Sequence, residues 1–138
     1  MAKLFTPYRV ATYLLLIFCA AHTLGGMLST HSYGLKGDAV LAAMQATHFD
    51  FNGSDVTWYG FHFGFGMMTS VLLLLLATLT WHLANTAPTR ALKPVAWAVF
   101  VALLPTAYLS FAYFFAAPGV FSTLAAGLTG YEALRKYR

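Results

Sequence analysis

Long apolar runs separated by short polar segments account for most of this chain. The first run covers residues 8–28, and three more follow at residues 55–83, 94–116 and 119–133. A helix needs about 20 mainly apolar residues to cross the hydrocarbon core of a bilayer. The pattern therefore predicts four membrane-spanning helices, of which the last is the shortest.

The segment between the first two runs predicts one more helix. Residues 38–48, DAVLAAMQATH, are too few to cross a bilayer, so we expect this helix to lie at the membrane interface or to fold back over the bundle. The predicted fold class is therefore all-α, with one domain over residues 1–138. It is an integral membrane four-helix transmembrane bundle with a short interfacial helix between spans one and two.

The composition indicates that lipid surrounds much of the chain. Hydrophobic residues make up 59% of the chain and charged residues only 9%, whereas ordinary soluble domains carry roughly 25% charged residues. The formal net charge of +4 is compatible with nucleic acid binding. However, the basic residues stand at segment ends and form no stripe, so we expect no nucleic acid partner. The single Cys19 excludes an intrachain disulfide.

Lysine and arginine positions predict the orientation, because cytoplasmic loops of membrane proteins are enriched in these residues. Basic residues precede span one, occupy the loop between spans two and three, and follow span four, whereas Lys36 lies on the opposite side. We therefore predict a multi-pass inner (plasma) membrane protein with both termini in the cytoplasm. A signal peptide is the competing interpretation of residues 8–28, although that run is long for one.

The stretch HFDFNGSDVTWYGFHFGFG, residues 48–66, gathers polar and aromatic side chains between two apolar runs. We interpret Ser54 as an N-cap and the residues from Asp55 onwards as a helix, because a lone strand cannot cross lipid with its backbone unsatisfied. Asp55, Tyr59 and His62 would then form one polar stripe along that helix. The Asn-Gly dipeptide just before Ser54 is common in turns.

Gly60 and Gly64 would lie on a different face of the same helix. Two small residues four positions apart allow close approach of a second helix in a membrane. This face is a candidate surface for association between copies of the chain.

Polar side chains from all four predicted spans fall at similar depth near the outer face. His62 and His22 each lie about 10 Å inside their helices at 1.5 Å per residue. Ionisable groups inside spans are costly and are therefore functional candidates. The predicted catalytic residues are His62, Asp55, His48, Asp50, His22 and Tyr59. The predicted substrate-binding residues are Trp58, Tyr108, Gln45 and Asn52.

This polar layer is compatible with three classes of function. The first is a small acid–base enzyme, of the isomerase, cyclase or epoxide-opening hydrolase type, or a binder, acting on a lipid-soluble small molecule. His62 with Asp55 would be the main pair, and His48 with Asp50 the second. The second class is a haem or metal-binding redox protein with His22 and His62 as ligands. The third is a non-catalytic structural or partner subunit. The first class requires no cofactor.

HTLGGM at residues 22–27 and MQATHFDFNGSDVTWYGFHFGFG at residues 44–66 carry a resemblance to known proteins. The chain resembles an uncharacterised family of small four-helix bacterial membrane proteins, and it is loosely similar in size and layout to DoxX-like proteins. The matching motifs cover spans one and two, about a third of the chain. The resemblance implies an inner-membrane protein and assigns no role to any residue.

Overall fold

The computed structural model describes residues 5–137, and helices dominate it. The α-helices are α1 (Pro7–Ala20), α2 (Gly34–Ala46), α3 (Trp58–Asn85), α4 (Lys93–Tyr113) and α5 (Ala116–Lys136). The π-helical turns Ala21–Met27 continue α1, and a short 3₁₀ turn, Arg90–Leu92, precedes α4. The two strands, β1 (His48–Phe51) and β2 (Ser54–Thr57), form an antiparallel hairpin.

Three helical segments are long and apolar enough to cross a membrane: Pro7–Met27, Trp58–Asn85 and Arg90–Tyr113. They correspond to the first three predicted spans, so the prediction of a membrane protein with several spanning helices is supported. The fourth predicted span falls within α5, which is not among these three helices. A four-helix transmembrane bundle thus remains a prediction.

The chain divides into two compact units, and the first contains the segment ending at Cys19 together with residues 72–137. Its core is one cluster of buried apolar side chains supplied by α1, the second half of α3, α4 and α5. The largest buried members are Tyr8, Leu15, Leu83, Val99 and Leu103. Burial of a large aliphatic side chain contributes about 1.5–3 kcal/mol in water. Inside a bilayer, close packing takes over that role, because lipid is as apolar as leucine.

Close packing in the first unit is clearest between α4 and α5. A Cβ atom built on Gly130 would lie 2.7 Å from Cε2 of Phe100, so any larger residue would force the Phe100 ring to move. Residues 116–119, AAPG, form the first turn of α5. The predicted fourth span begins only at Gly119, whereas α5 begins at Ala116, because Pro118 is tolerated within the first turn of a helix.

The two faces of α5 are inverted relative to a helix of a soluble protein. Its buried residues are small or polar: Gly119, Ser122, Ala125, Ala126, Thr129, Gly130, Glu132 and Ala133. Between its ends, its exposed large residues are apolar or aromatic, namely Val120, Leu124, Tyr131 and Leu134, and Arg135 is exposed only in the last turn. A soluble amphipathic helix buries its apolar stripe and exposes its polar one. The arrangement in α5 is the reverse.

The second unit, residues 20–71, contains the π-helical turns, α2, the hairpin and the first part of α3. The π-helical turns pack closely on α3, because a Cβ atom at Gly66 would collide with the Met27 side chain. The Thr23 hydroxyl donates to Oγ of Ser70 at 2.7 Å and adds a polar link between the same two elements.

Helix α2 begins four residues before the predicted start at Asp38. The Asp38 carboxylate accepts hydrogen bonds from the Tyr33 backbone N–H at 2.8 Å and from the Ser32 hydroxyl at 2.7 Å. These contacts lower the pKa of Asp38, and the Ser32 bond has the larger effect. Asp38 lies in the first turns of α2, where a negative charge is favourable, and it therefore stabilises the N-terminus of this helix.

The segment before α3 is a β-hairpin, which corrects the prediction that Ser54 caps a helix starting at Asp55. Asn52 and Gly53 both have positive φ, 55° and 84°. Positive φ at both central residues defines the type I′ turn, the two-residue loop that matches strand twist. Each strand pairs with the other, so the backbone is satisfied without a helix, and α3 begins only at Trp58.

Candidate functional site

The hairpin separates polar and apolar side chains onto its two faces. Residues directly opposite each other are His48 with Thr57, Phe49 with Val56, Asp50 with Asp55, and Phe51 with Ser54. Because side chains alternate along a strand, the two acidic residues and His48 share one face. The other face carries Phe49, Phe51 and Val56. The polar cluster at residues 48–55 is therefore created by strand register.

His48 and Asp55 form the ion pair of this face. Nδ1 of His48 lies 3.0 Å from Oδ2 and 3.1 Å from Oδ1 of Asp55. The two side chains are 59% and 72% exposed. The prediction paired Asp55 with His62 along one helix, and it is wrong, because Asp55 belongs to a strand. Solvent at this pair means that it lacks the low-dielectric surroundings expected of a buried acid–base dyad.

Asp50 lies directly across the hairpin from Asp55 rather than bonded to His48. Like charges at opposed positions destabilise a strand pair. Asp50 offsets this cost by accepting a hydrogen bond from the Gly53 backbone N–H at 3.2 Å, which closes the turn. Asp50 and Asn52 therefore have structural roles in the turn, and both are exposed.

A continuous row of aromatic rings joins the apolar face of the hairpin to α3. Phe49 stacks against Trp58 at 4.7 Å and Phe61 at 5.8 Å between ring centroids. Phe61 in turn meets the edge of Phe51 at 5.2 Å and approaches Phe65 at 5.9 Å. Aromatic pairs at these distances contribute about 0.5–1.5 kcal/mol each beyond area burial. This row fixes the hairpin on the start of α3.

An open, mostly apolar groove runs from strand β2 along α3. We call it the α3 groove; it is lined by Asp55, Val56, Thr57, Gly60, Phe61, Gly64, Phe65 and Met68. A Cβ atom at Gly64 would have no neighbour within 4 Å, so the glycine forms part of its open floor. Asp55 and Thr57 make one end polar, whereas Phe65 and Met68 are large, exposed apolar residues at the other end.

His22 lies in the π-helical turns and contacts α3 directly. Its Nε2 atom is 3.0 Å from the carbonyl oxygen of Gly66, and because a carbonyl only accepts, Nε2 carries the proton. A haem ligand at Nε2 would require this hydrogen bond to break. His62 is exposed on α3. Among residues 5–137, no group of three or more His, Cys, Asp or Glu side chains is placed to hold a metal ion.

The remaining predicted residues occupy separate positions. Tyr59 stacks on Phe63 at 6.1 Å along α3. Trp58 is 55% exposed and belongs to the aromatic row, and Gln45 is exposed near the end of α2. Tyr108 is 71% exposed on α4, in the first unit. Within the second unit, the structure brings His48 to Asp55 and Asp55 to the α3 groove.

Sequence reasoning underrated a buried acidic residue at the end of α5. The Glu132 side chain is 0% exposed and accepts hydrogen bonds from Arg135 at 2.9 Å and 3.2 Å, with Nζ of Lys136 at 3.8 Å. Local spacing predicts this pairing. Its burial among Tyr8, Ala133 and Tyr137 comes from the packing of distant segments, which the local sequence does not reveal.

The chain matches no protein-family profile, and no curated protein and no solved structure is significantly similar to it. The site therefore has to be interpreted from its own geometry.

Proposed function

We propose that this protein is a multi-pass membrane protein that binds a lipid-soluble small molecule in the α3 groove. The observation that carries the proposal is the open groove floor at Gly64, bounded by Phe61, Phe65 and Met68 and polar only at its Asp55 end. Ligand sites are concave and mainly apolar, with few polar groups that fix orientation. A molecule with an apolar body and one polar end matches this distribution.

The groove lies along a helix that is long and apolar enough to span a membrane. A ligand dissolved in the bilayer would therefore reach it laterally, without crossing an aqueous phase. The polar end of the ligand would meet Asp55 and Thr57, which line the groove at the hairpin. His48, paired with Asp55, would set the charge and orientation of that carboxylate.

Acid–base catalysis is the second candidate, and the His48–Asp55 contact at 3.0 Å favours it. One partner of such a pair can donate a proton while the other accepts one. The pair would act on a group placed at the polar end of the groove. Binding is the better-supported function, because it needs only the groove and no exclusion of water from an exposed pair.

A variant whose new side chain fills the α3 groove tests the binding proposal. Gly64→Leu introduces a side chain onto the open floor, where it meets no neighbour within 4 Å. Gly127→Leu is the matched control, since Gly127 is also a helical glycine with no neighbour within 4 Å, on α5. Both substitutions replace a poor helix former by a good one, which favours the helix by about 0.8 kcal/mol.

Mass spectrometry of small molecules that co-purify with each variant provides the measurement. We expect Gly64→Leu to lose at least nine-tenths of a bound apolar compound, and Gly127→Leu to retain it. Equal retention by Gly64→Leu and the unsubstituted protein would contradict the proposal. A further Asp55→Asn variant that keeps its ligand but loses turnover of it would support the catalytic alternative.

We further propose that α5 is the fourth membrane span, which would put both termini on the cytoplasmic side. Its inverted faces support this: the large apolar side chains that α5 exposes are Val120, Leu124, Tyr131 and Leu134, and they suit lipid. Its buried Ser122, Thr129 and Glu132 lower the average hydropathy without facing the bilayer. Polar residues in spans face the bundle interior in this way.

Cysteine labelling in intact cells tests the topology in a Cys19→Ser background. With four spans, a cysteine at Lys36 should react with an impermeant reagent, whereas one at Ala87 and one added after Arg138 should both be protected. With three spans, the cysteines at Ala87 and after Arg138 would lie on opposite sides and one of them would react. Protection at Lys36 would contradict the predicted orientation.

A further inference from the structure

A second concave surface lies in the first unit, between the α3–α4 loop and the end of α5. We call it the basic cavity. Its lining residues are Pro88, Thr89, Arg90, Lys93, Lys136 and Tyr137. Half of them are basic and none is acidic.

Within residues 5–137, two of the three cations that line the basic cavity have no acidic partner. Arg90 and Lys93 are exposed, and neither makes an ion pair within residues 5–137. Glu132 is the acidic residue of the first unit, and it already accepts Arg135 and Lys136. Two cations therefore remain without a carboxylate partner at this position.

The N-terminus of α4 adds to the positive potential. Helix α4 begins at Lys93, and its N-cap residue Leu92 provides no side-chain hydrogen bond. The Lys93 N–H already donates to the Arg90 carbonyl and Pro94 has no N–H, but the aligned peptide dipoles still give this end a partial positive charge, so basic residues there are unfavourable. Arg90 and Lys93 at this end are electrostatically reasonable when an anion lies between them.

Tyr137 is the buried member of the cavity lining. Its side chain is only 5% exposed, yet its buried hydroxyl has no hydrogen-bond partner within residues 5–137. Leaving a buried hydroxyl unpaired is unfavourable. Burial, followed by the nearby Glu132 charge, raises the pKa of Tyr137, so the phenol keeps its proton and can donate.

We propose that the basic cavity binds a phosphate group, with Arg90, Lys93 and Lys136 supplying charge and Tyr137 donating a hydrogen bond. Arginine suits phosphate because its planar guanidinium donates two parallel hydrogen bonds. The cavity lies at the end of a segment that can span a membrane, Arg90–Tyr113, which is the level of lipid headgroups. Basic pockets at the ends of spans bind anionic headgroups. The phosphate comes either from an anionic phospholipid or from a soluble phosphate compound.

The test compares lipid binding by the purified full-length chain and two variants. Nanodiscs of phosphatidylcholine with about one-fifth phosphatidylglycerol are compared with pure phosphatidylcholine, and bound lipid is measured by native mass spectrometry after release into detergent. The double variant Arg90→Gln with Lys93→Gln removes the two unpaired cations. Lys36→Gln, on the exposed helix α2, is the control for net charge.

We expect the double variant to lose phosphatidylglycerol affinity about thirtyfold and Lys36→Gln to keep it. Tyr137→Phe removes only the hydroxyl, and we expect a loss of about threefold to tenfold. Thermal unfolding of each variant without added lipid identifies any variant that fails to fold. If the double variant does not fold, the proposal is tested with Tyr137→Phe, which keeps the aromatic ring. Unchanged affinity in the double variant, or in Tyr137→Phe, would overturn the proposal.

Competition identifies the source of the phosphate. Inorganic phosphate or glycerol phosphate that displaces bound phosphatidylglycerol at millimolar concentration or below would assign the cavity to a soluble compound. Failure of both to compete, with lipid binding intact, would assign it to the lipid headgroup. Equal binding of phosphatidylcholine and phosphatidylglycerol by the unsubstituted protein would overturn the anionic-lipid source.

Discussion

The hairpin and helix α5 place their acidic side chains in opposite surroundings. Asp55 pairs with His48 on an exposed hairpin face, whereas Glu132 pairs with Arg135 while being wholly buried. In sequence, the hairpin stands out as the polar exception and Glu132 is an ordinary member of a basic tail. From the structure, we expect Glu132 to contribute more to the free energy of unfolding than Asp55 does. The conspicuous cluster is the one that solvent reaches, and the inconspicuous carboxylate is the one that packing depends on.

The largest expected effect is on the buried pair. Glu132→Ala removes a buried carboxylate and leaves a void, and we expect a loss of about 2–4 kcal/mol of unfolding free energy. Asp55→Ala should change stability several-fold less, since exposed pairs contribute little. Thermal or denaturant unfolding in one detergent measures both. Comparable losses for the two variants would remove the contrast between the regions.

Removing the partner of Glu132 sharpens the same contrast. Arg135→Gln leaves Glu132 buried with only Lys136, 3.8 Å away. We expect Arg135→Gln to destabilise more than Glu132→Gln, because an unpaired buried charge costs more than its neutral replacement. The opposite order would contradict the view that pairing with Arg135 compensates the burial of Glu132.

Helical glycines in the two regions should also respond differently. A side chain at Gly130 would collide with Phe100 on α4, whereas one at Gly64 would meet open space. We expect Gly130→Leu to cost about 1–3 kcal/mol through overpacking and Gly64→Leu to be neutral or slightly stabilising. Unfolding measurements on the pair test this. A stable Gly130→Leu variant would mean that α4 and α5 can separate.

Alkaline pH should destabilise the packing at the C-terminal end of α5. Burial raises the pKa of Tyr137 above its ordinary value of 10.0, so the folded protein holds this proton more tightly than the unfolded chain. The Tyr137 contribution to stability is therefore complete below about pH 10 and is lost as the pH rises through the folded pKa. Unfolding measured between pH 9 and pH 11 should show a steeper decline for the unsubstituted protein than for Tyr137→Phe.

Acid should destabilise the start of α2, in the second unit, by a smaller amount. The pKa of Asp38 is lowered from 3.8 by its bonds to Ser32 and Tyr33, so its stabilising effect is complete above that value. It is lost as the pH falls through the folded pKa. Protection of the amides in the first turns of α2, measured by hydrogen exchange relative to the intrinsic rate at each pH, should fall in acid, and Asp38→Asn should show that lower protection at neutral pH. Unchanged exchange in Asp38→Asn would exclude this capping role.

The helices were predictable from the sequence because length and apolar content dominate their formation in lipid. The first three predicted spans all have helical counterparts, with ends shifted by several residues. The hairpin was missed because its two strands have four residues each and lead directly into an apolar run. The alternation in HFDF and SDVT around Asn-Gly is nevertheless a strong hairpin signal. The continuity of the apolar run favours a helix over the same residues, and the prediction followed that stronger pattern.

The candidate site was only partly predictable, because its contacts follow from strand register and from packing. His48 and Asp55 were both predicted, but their pairing depends on the type I′ turn at Asn52–Gly53. The α3 groove includes Asp55, Gly60 and Gly64, all singled out in the sequence, although a polar stripe and a packing face were expected. The burial of Glu132 depends on segments far away in the chain, which local spacing does not encode.

In the proposed four-span arrangement, a short connection joins α4 to α5. Only Phe114 and Phe115 separate the two helices. Helix α5 alone would expose Ser122, Thr129 and Glu132 to lipid, and polar side chains on a lone helix oppose its insertion. We expect α4 to enter the bilayer first during synthesis and α5 to follow as the second arm of a helical hairpin. A longer linker would then slow the maturation of the protein in the cell without altering its final packing.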